Sequence, residues 1–207
     1  MWFIHFKTDS KDRGMKLKIY ISLLLALLFS VSVKAQDVAF KTNLLYDATA
    51  TINAGIEFPV ARQWTVDVSG NYNDWDMSHD RKWKHWRVQP EARYWFCDRF
   101  IGHFVGFHLH GGKYNIGNLD NGIQFLGTDF SKLSDARYQG WFLGGGFGYG
   151  YSWVLIKHWN LEAEIGLGYS YTEFDKYPCD VCGTLIEKDS HHYIGVTKAA
   201  INLIYSF

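Results

Sequence analysis

The chain has little of what marks several common protein classes. Its 207 residues include only three cysteines and three prolines, and 21 basic side chains balance 21 acidic ones. Residues 36–207 alone carry 15 Lys and Arg against 19 Asp and Glu, a formal charge of −4, so no bulk attraction for nucleic acid is expected. That region also lacks an apolar run near the roughly 20 residues that a membrane helix needs. If it crosses a membrane, it does so with strands.

Common catalytic motifs are missing too. The sequence contains no Gly-x-Ser-x-Gly elbow, no phosphate loop and no His-Glu-x-x-His pair. Glycines are frequent over residues 144–150, but they alternate with aromatic residues inside a strand pattern, which argues against a nucleotide loop. We therefore predict neither a catalytic residue nor a cofactor, and no enzymatic activity.

What the sequence does contain begins with a secretion signal. Met15 opens a basic segment with Lys16 and Lys18, an apolar run follows to residue 33, and Ala35 ends a small-residue exit. This pattern predicts residues 1–14 as a misassigned upstream start, 15–35 as a signal peptide cut before Gln36, and 36–207 as the mature chain. An uncleaved membrane anchor is the alternative. The absence of cysteine near the cut argues against a lipoprotein.

Alternating apolar and polar residues predict strands throughout the mature chain. In the clearest case, Trp141, Phe147 and Trp153 belong to a ring-bearing face that is backed by an almost continuous glycine face. Eight such segments occur, over residues 40–47, 52–58, 64–72, 86–96, 101–110, 141–153, 159–172 and 193–207. Glycine suits the narrow inside of a small barrel and aromatic rings suit its lipid-facing outside.

The connections between these strands alternate in length. Short turns near residues 60–63, 97–100 and 154–158 contrast with long segments 73–85, 112–140 and 172–192. Short periplasmic turns and long outer loops are typical of outer-membrane barrels. We therefore predict an all-β, eight-stranded antiparallel up-and-down transmembrane barrel. A secreted soluble barrel or sandwich is the rival, and Pro90 is expected to mark a bulge.

The last strand predicts where the protein goes. Tyr205 and Phe207 end an aromatic strand of the kind that the outer-membrane insertion machinery reads. With unbroken alternation, Tyr193, Gly195 and Thr197 share the face of these two aromatic residues. The predicted location is the cell outer membrane of a Gram-negative bacterium.

Several blocks, in order along the mature chain, resemble one known family. They are KTNLLYDATAT (41–51), RVQPEARYWFCDRF (87–100), GHFVGFHLHGGKYNIG (102–117), CDVCG (179–183) and GVTKAAINLIYSF (195–207). These are similar to the Bacteroidetes outer-membrane barrels called domain of unknown function 3575 (DUF3575). The resemblance implies a small outer-membrane barrel, and the fimbrial genes beside some relatives hint at surface assembly. It carries over no catalytic residue.

Charged residues on the polar faces would meet inside the barrel. This predicted lumenal set is Lys41, Asp47, Glu57, Asp67, Arg87, Glu91, Arg93, Glu162, Glu164 and Lys198. Buried charges must pair to offset lost hydration, so an internal salt-bridge plug is the main hypothesis. A narrow ion or proton path and a catalytic carboxylate pair are the alternatives.

Cys179 and Cys182 form a Cys-x-x-Cys pair in the last predicted outer loop. An exported setting favours a disulfide; a metal site with His191 and His192, or free thiols, are the alternatives. Cys97 should be unpaired in a periplasmic turn.

Histidines also recur along the predicted fifth strand. His108 and His110 share a face that His103 does not. Hydrogen-bonded filler is the expected role, with a metal cluster as the alternative.

Three hypotheses for function remain open. The first is a barrel that presents its outer loops for surface assembly, adhesion or envelope integrity, because function on such folds normally lies in loops. The second is a narrow channel or transporter, and the third is a membrane enzyme at the outer rim. Expected partners are outer-membrane lipid, the barrel-insertion machinery and fimbrial or other surface proteins.

Overall fold

The computed structural model describes residues 38–76, 82–117, 124–125, 128–129, 136–178 and 186–207. The predicted signal peptide, Cys179 and Cys182 lie outside these residues. The elements are β1 (Ala39–Asn43), α1 (Leu44–Ala48), β2 (Ile52–Pro59), β3 (Trp64–Asp76), β4 (Lys82–Trp95), β5 (Gly102–Gly117), β6 (Gln124–Phe125), β7 (Thr128–Asp129), β8 (Ala136–Ile156), β9 (Trp159–Pro178) and β10 (Glu187–Ser206).

Eight of these strands close into a barrel with the order β1-β10-β9-β8-β5-β4-β3-β2, and every neighbouring pair is antiparallel. The small strands β6 and β7 pair only with each other. The last strand closes the barrel: β10 pairs with β9 and, through Asn202–Ser206, with β1. The predicted eight-stranded up-and-down barrel is confirmed. None of the helices in the described segments is long and apolar enough to cross a membrane.

The first strand is shorter than predicted. β1 ends at Asn43, and residues 44–48 form the helix α1 instead of continuing the strand to Asp47. The Asn43 side chain caps this helix by accepting a hydrogen bond from the Leu45 amide at 3.1 Å. The consecutive apolar pair Leu44 and Leu45 already breaks the strict alternation that a strand requires.

Pro90 does not mark a bulge. It pairs with Val68 in an unbroken register between β3 and β4. Between β4 and β5, the pairs on either side of Pro90 (Val88 with Gly111, and Glu91 with His108) keep the same register. The missing amide donor of the proline therefore interrupts the hydrogen-bond ladder without adding a residue to the strand. The register shifts that the structure does contain lie between Val154 and Ile156, and between Val196 and Lys198.

The second of these bulges corrects the predicted faces of the last strand. Tyr205 and Ile201 share a face with Ala163, as expected. Beyond the bulge the faces exchange, because the extra residue shifts the alternation by one position. Gly195 therefore pairs with inward-facing Gly168, while Ile194 faces outward and is 83% exposed.

The strands end in short turns at one end of the barrel and extend much farther at the other end. The turn end holds the short β2–β3, β4–β5 and β8–β9 connections, and the opposite end is called the loop end. β8, β9 and β10 contain 21, 20 and 20 residues and extend far into the segments predicted as long connectors. In these extensions the outward residues are polar, although the two-residue alternation continues. A strand prediction that relies on apolar outward residues therefore ends the strands too early.

The barrel reverses the usual distribution of polarity. Among the described residues, eighteen buried side chains are polar or charged and only five are apolar. On β8, Gly146, Gly148 and Gly150 are buried, whereas Phe147 is 72% exposed and Tyr149 is 50% exposed. The interior is thus polar and the exterior apolar, which is the opposite of a soluble core.

Candidate functional site

Eight charged side chains meet in the lumen and form one connected set, here called the lumenal charge network. They come from six of the eight barrel strands, and all eight are buried. Its members are Lys41, Glu57, Asp67, Glu91, Arg93, Glu162, Glu164 and Lys198. The sequence predicted all eight.

Arg93 is the centre of this network. Its Nη1 lies 2.9 Å from Glu57 Oε2 and 3.0 Å from Glu162 Oε2. Its Nη2 lies 2.8 Å from Glu164 Oε2, and its Nε lies 3.4 Å from Glu91 Oε1. The planar guanidinium can serve several carboxylates at once, which a lysine ammonium cannot do in the same plane. One side chain thereby links β4 to β2 and β9 across the lumen.

Lys41 occupies one side of Arg93. Its Nζ contacts Glu57 and lies 3.1 Å from Asp67 Oδ2 and 3.3 Å from Glu162 Oε2. These contacts tie the short strand β1 to β2, β3 and β9. A strand with only five residues in its ladder gains additional attachment in this way.

Lys198 occupies the other side. Its Nζ contacts Glu91 and lies 2.8 Å from Glu164 Oε2. The expected approach of Lys198 to the glutamates of the preceding strand is therefore confirmed for Glu164. Acids already outnumber cations five to three in the network, so removal of any cation increases the buried charge that has no partner.

Neutral groups complete the network, and the sequence reading did not single them out. Asn202 Nδ2 donates to Glu162 Oε1 at 2.8 Å, and Thr65 donates its hydroxyl to Glu57. Trp95 Nε1 in turn donates to Thr65 Oγ1 at 2.9 Å. The alternation pattern could have indicated two of these groups, because Thr65 and Asn202 lie on the polar faces of their strands and those faces point into the lumen.

Two glycines provide the space that the carboxylates occupy. A Cβ atom at Gly106 would lie 1.8 Å from Glu91 Oε1, and one at Gly148 would lie 2.6 Å from Glu164 Oε1. Any larger residue at these positions would displace the glutamates from their cations. The glycine-rich inner face of β5 and β8 is therefore a packing requirement of the network.

Two members of the predicted lumenal set lie outside the network. Asp47 belongs to α1, is exposed, and accepts hydrogen bonds from Thr42 Oγ1 at 2.9 Å and Asn53 Nδ2 at 2.7 Å. Its assignment to the lumen was wrong because the strand ends before it. Arg87 is half-buried and donates Nη2 to the Thr197 carbonyl at 2.7 Å. No ion pair to Arg87 is found among the described residues.

The lumen leaves little open space near the network. A cavity of about 40 Å³ adjoins it, with Asn71, Arg87 and Gln89 in its wall. That volume suits two or three waters. Asn71 Oδ1, Arg87 Nε and Gln89 Nε2 have no protein partner in the described residues, so they are suitable ligands for such waters.

The histidines divide as expected. His108 and His110 are buried on the inner face of β5, and His108 Nε2 lies 2.8 Å from Thr197 Oγ1. His103 is exposed on the outer face, with Nδ1 2.5 Å from the Tyr149 hydroxyl. In the part of the chain that the structure describes, no three His, Cys, Asp or Glu residues are grouped as a metal site.

A polar staple joins β1, α1, β2 and β10 where the barrel closes. Asn43 Nδ2 donates to the Ala199 carbonyl at 3.5 Å, and the Ile201 amide donates to Asn43 Oδ1 at 3.3 Å. The Asn43 amide also donates to Asn53 Oδ1 at 2.6 Å. These side-chain bonds replace strand pairing just beyond the short β1–β10 ladder.

The outer surface of the barrel carries aromatic residues in two zones. Near the turn end, exposed aromatic side chains include Phe40, Trp64, Phe96, Trp153, Trp159 and Phe207. Near the loop end they include Tyr72, Trp75, Trp86, Trp141 and Tyr169. Between the zones the outward side chains are mostly aliphatic or phenylalanine, such as Leu143, Phe147 and Leu167.

Beyond the second aromatic zone the outward residues become polar. On β3, Tyr72 is followed outward by Asp74, and on β8 Trp141 is followed by Gln139. Lys84 lies beyond Trp86 on β4 and pairs with Asp74 at 3.0 Å. The outward residues therefore change from apolar to aromatic to polar in the same order on β3, β4 and β8.

The predicted sorting residues belong to the aromatic zone of the turn end. Phe207 is 57% exposed, and its ring centroid lies 5.6 Å from that of Phe40 and 5.1 Å from that of Tyr205. Tyr205 also contacts Trp159, with 5.1 Å between centroids. The closing strand and the first strand thus share one aromatic cluster at the barrel seam.

The predicted cysteine site can be followed only through its histidines, since Cys179 and Cys182 are outside the described residues. His191 pairs with Thr172 and His192 with Tyr171, on opposite faces of β10. His192 Nδ1 lies 2.5 Å from the Tyr169 hydroxyl. Cys97 is exposed in the β4–β5 turn and forms no disulfide there.

Comparison with known proteins identifies the family. The family model described as "Protein of unknown function (DUF3575)" matches residues 21–207, which is nearly the whole chain. The chain belongs to the DUF3575 family. No curated protein and no solved structure matches it. In this DUF3575 barrel, the lumenal charge network, the polar staple and the banded outer surface are the features from which function can be argued.

Proposed function

We propose that this DUF3575 protein is a small outer-membrane barrel with a filled lumen, which acts through its loop end rather than by conduction or catalysis. The observation that carries the proposal is the reversed polarity of the barrel. Two aromatic zones enclose an apolar outer band, while the lumenal charge network fills the inside. In water, that exterior would be a very large exposed apolar patch.

The height of the band fits a membrane. Trp141 and Trp153 are twelve residues apart on β8. With a rise of about 3.3 Å per residue and a strand tilt of about 40°, they are separated by about 30 Å along the barrel axis. Membrane barrels have an apolar band about 25 Å tall between aromatic girdles, so the two zones fit the two interfaces.

The filled lumen favours a structural or interaction role. Arg93 and its carboxylate partners close the cross-section, and eight strands leave no room for an aqueous channel. The long strands β8, β9 and β10 exceed the roughly 9–11 residues that one crossing requires, so they carry the loop end well beyond the membrane. Surface assembly, adhesion or envelope integrity is the role that this architecture supports, with fimbrial or other surface proteins as partners.

A pair of arginine substitutions on one strand tests the membrane assignment. Phe147 lies midway between Trp141 and Trp153 and faces outward, while Gln139 faces outward beyond Trp141. In a bilayer, Phe147→Arg should destabilise the barrel by about 2–4 kcal/mol, and Gln139→Arg by about 0–1 kcal/mol. The measurements are outer-membrane fractionation and the difference in gel migration before and after boiling.

Equal behaviour of the two variants, with the protein in the soluble periplasmic fraction, would overturn the proposal. The mass of the mature protein tests the predicted cut before Gln36 in the same preparation.

The loop role needs its own experiment. Replacing residues 118–135 and 179–185 by short turns should leave the boiling-dependent migration unchanged but reduce cell adhesion or raise detergent sensitivity. If both loop deletions leave surface assembly and envelope integrity as in the wild type, the loops are not the functional element. Stable conductance steps in planar bilayers would instead favour the channel hypothesis.

A further inference from the structure

A lysine stands between two tryptophans on the outside of the barrel. Lys113 on β5 pairs directly with Trp86 on β4 and with Trp141 on β8, so the three side chains are neighbours on one face. The Trp141 indole donates Nε1 to Glu173 Oε2 at 3.3 Å, which holds its ring in place. Lys113 is exposed, and no hydrogen-bond or ion-pair partner for it is found among the described residues.

The other charged groups nearby have partners of their own. Lys84 pairs with Asp74 at 3.0 Å, one row farther toward the loop end. Asp175 faces Lys188 across the β9–β10 ladder. Glu173 lies beyond Trp141 in the same row and is bound by the indole of that residue. Lys113 therefore presents an ammonium group without a partner among the described residues, at the boundary between the apolar band and the polar rows.

A furrow begins directly below Lys113. One step toward the turn end along the outward face, Gly111 pairs with Val88 and with Leu143, which are 45% and 60% exposed. The glycine has no side chain to fill the space between them. A Cβ atom there would lie 3.2 Å from Leu143 Cδ1, so the exposed Leu143 side chain leans over the glycine and must turn aside for any group that enters the furrow.

The groove above this furrow is large enough for a headgroup. It has a volume of about 330 Å³, and Tyr72, Trp86, Lys113 and Trp141 contribute to its wall. Asp74, Lys84 and Asp175 line its loop-end side, where Lys84 neutralises Asp74 and Lys188 faces Asp175. Indole rings favour the membrane interface, where one part of the ring system is apolar and the other is hydrated. The groove therefore combines a cation and aromatic walls with an apolar channel that leads toward the membrane interior.

We propose that this groove binds a phosphorylated glycolipid of the outer leaflet, namely lipopolysaccharide. Lys113 contacts its phosphate, Trp86 and Trp141 flank the headgroup, and one acyl chain lies over Gly111 in place of the Leu143 side chain, which turns aside. A free phosphate would use only the lysine, whereas an acylated phosphate uses the lysine and the furrow together. The inference rests on the proposed outer-membrane location and adds a specific lipid site to it.

The test compares lysine variants in opposite halves of the barrel. Lys157 is an exposed lysine in the β8–β9 turn, at the turn end, so Lys157→Gln removes the same charge from the opposite interface. Native mass spectrometry of the detergent-purified full-length protein measures binding of diphosphorylated lipid A, its dephosphorylated form, and inorganic phosphate. Lys113→Gln should weaken binding of diphosphorylated lipid A about five-fold, and Lys157→Gln should leave it unchanged.

A second variant tests the furrow separately from the charge. Gly111→Leu places a side chain over the acyl position, with only flexible Leu143 atoms to move. It should reduce lipid A binding while Lys113 remains in place. Each variant is first checked for the migration difference on boiling, which reports a closed barrel.

Several outcomes would overturn the site. They are equal lipid A binding by Lys113→Gln and the wild type, equal loss in Lys157→Gln, or no preference for the phosphorylated over the dephosphorylated form. Strong inorganic phosphate binding that Lys113→Gln abolishes, without any gain from acyl chains, would show an anion site and not a lipid site. A barrel that fractionates with the outer membrane but fails these tests would refute the lipid site and leave the proposed function standing.

Discussion

Removal of the Arg93 charge is the most direct test of how the barrel is held together. Its guanidinium lies within 3.0 Å of Glu57, Glu162 and Glu164 and 3.4 Å from Glu91. Breaking a buried ion pair by removing one partner typically costs about 3–5 kcal/mol, because the remaining charge stays buried without compensation. We expect Arg93→Met to lower the free energy of unfolding by that amount.

The assay is urea-induced unfolding of the barrel in phospholipid vesicles. The eight tryptophans of residues 36–207 provide a fluorescence signal, and the migration difference on boiling gives an independent measure of the folded fraction. Arg62 is exposed in the β2–β3 turn, so Arg62→Met is a matched control that should change the stability by less than about 0.5 kcal/mol. Arg93→Lys should be intermediate, because it keeps the charge and loses the planar fork.

A double variant separates charge imbalance from lost packing. Adding Glu162→Gln to Arg93→Met removes one of the carboxylates left without its cation, so part of the stability should return. The reasoning would be refuted if the free energy of unfolding of Arg93→Met lies within about 1 kcal/mol of the wild-type value. It would also be refuted if the second substitution lowers the stability further by its full single-variant amount.

Three further changes test the other features of the barrel. Gly106→Val should sharply reduce the folded fraction on an unboiled gel, since a Cβ would lie 1.8 Å from the held Glu91 Oε1. Asn43→Ala should cost about 1–2 kcal/mol and speed hydrogen exchange of the Ile201 amide, whose acceptor it removes; unchanged exchange would contradict the staple. Deletion of Phe207 should slow insertion in cells while the refolded barrel keeps its circular dichroism spectrum, and normal insertion would refute its role in sorting.

The fold was predictable because a two-residue period runs through most of every strand. Trp141, Phe147 and Trp153 fall on one face whatever the barrel geometry, and the glycines between them fall on the other. The same argument correctly placed all eight members of the lumenal charge network, since each lies on a polar face. It required no knowledge of which strands were neighbours.

The errors arose where a local interaction interrupted that period. Asp47 was assigned to the lumen because alternation was continued through a segment that Asn43 caps as a helix. Tyr193 and Gly195 were assigned to the outer face because the bulge between Val196 and Lys198 has no clear sequence mark. A single extra residue exchanges the two faces of everything beyond it.

The sequence by itself determined that this chain forms strands with one apolar and one polar face, and therefore a closed barrel that pairs its charges inside. Tertiary structure alone decided which charges meet: Arg93 reaches Glu57 and Glu162 from strands far apart in the chain. It also decided that Lys113 stands between Trp86 and Trp141, because their adjacency depends on the register of β4, β5 and β8. Periodicity can be read from a single strand, whereas register depends on two strands together. A site on a barrel combines residues from neighbouring strands, so it is decided by register.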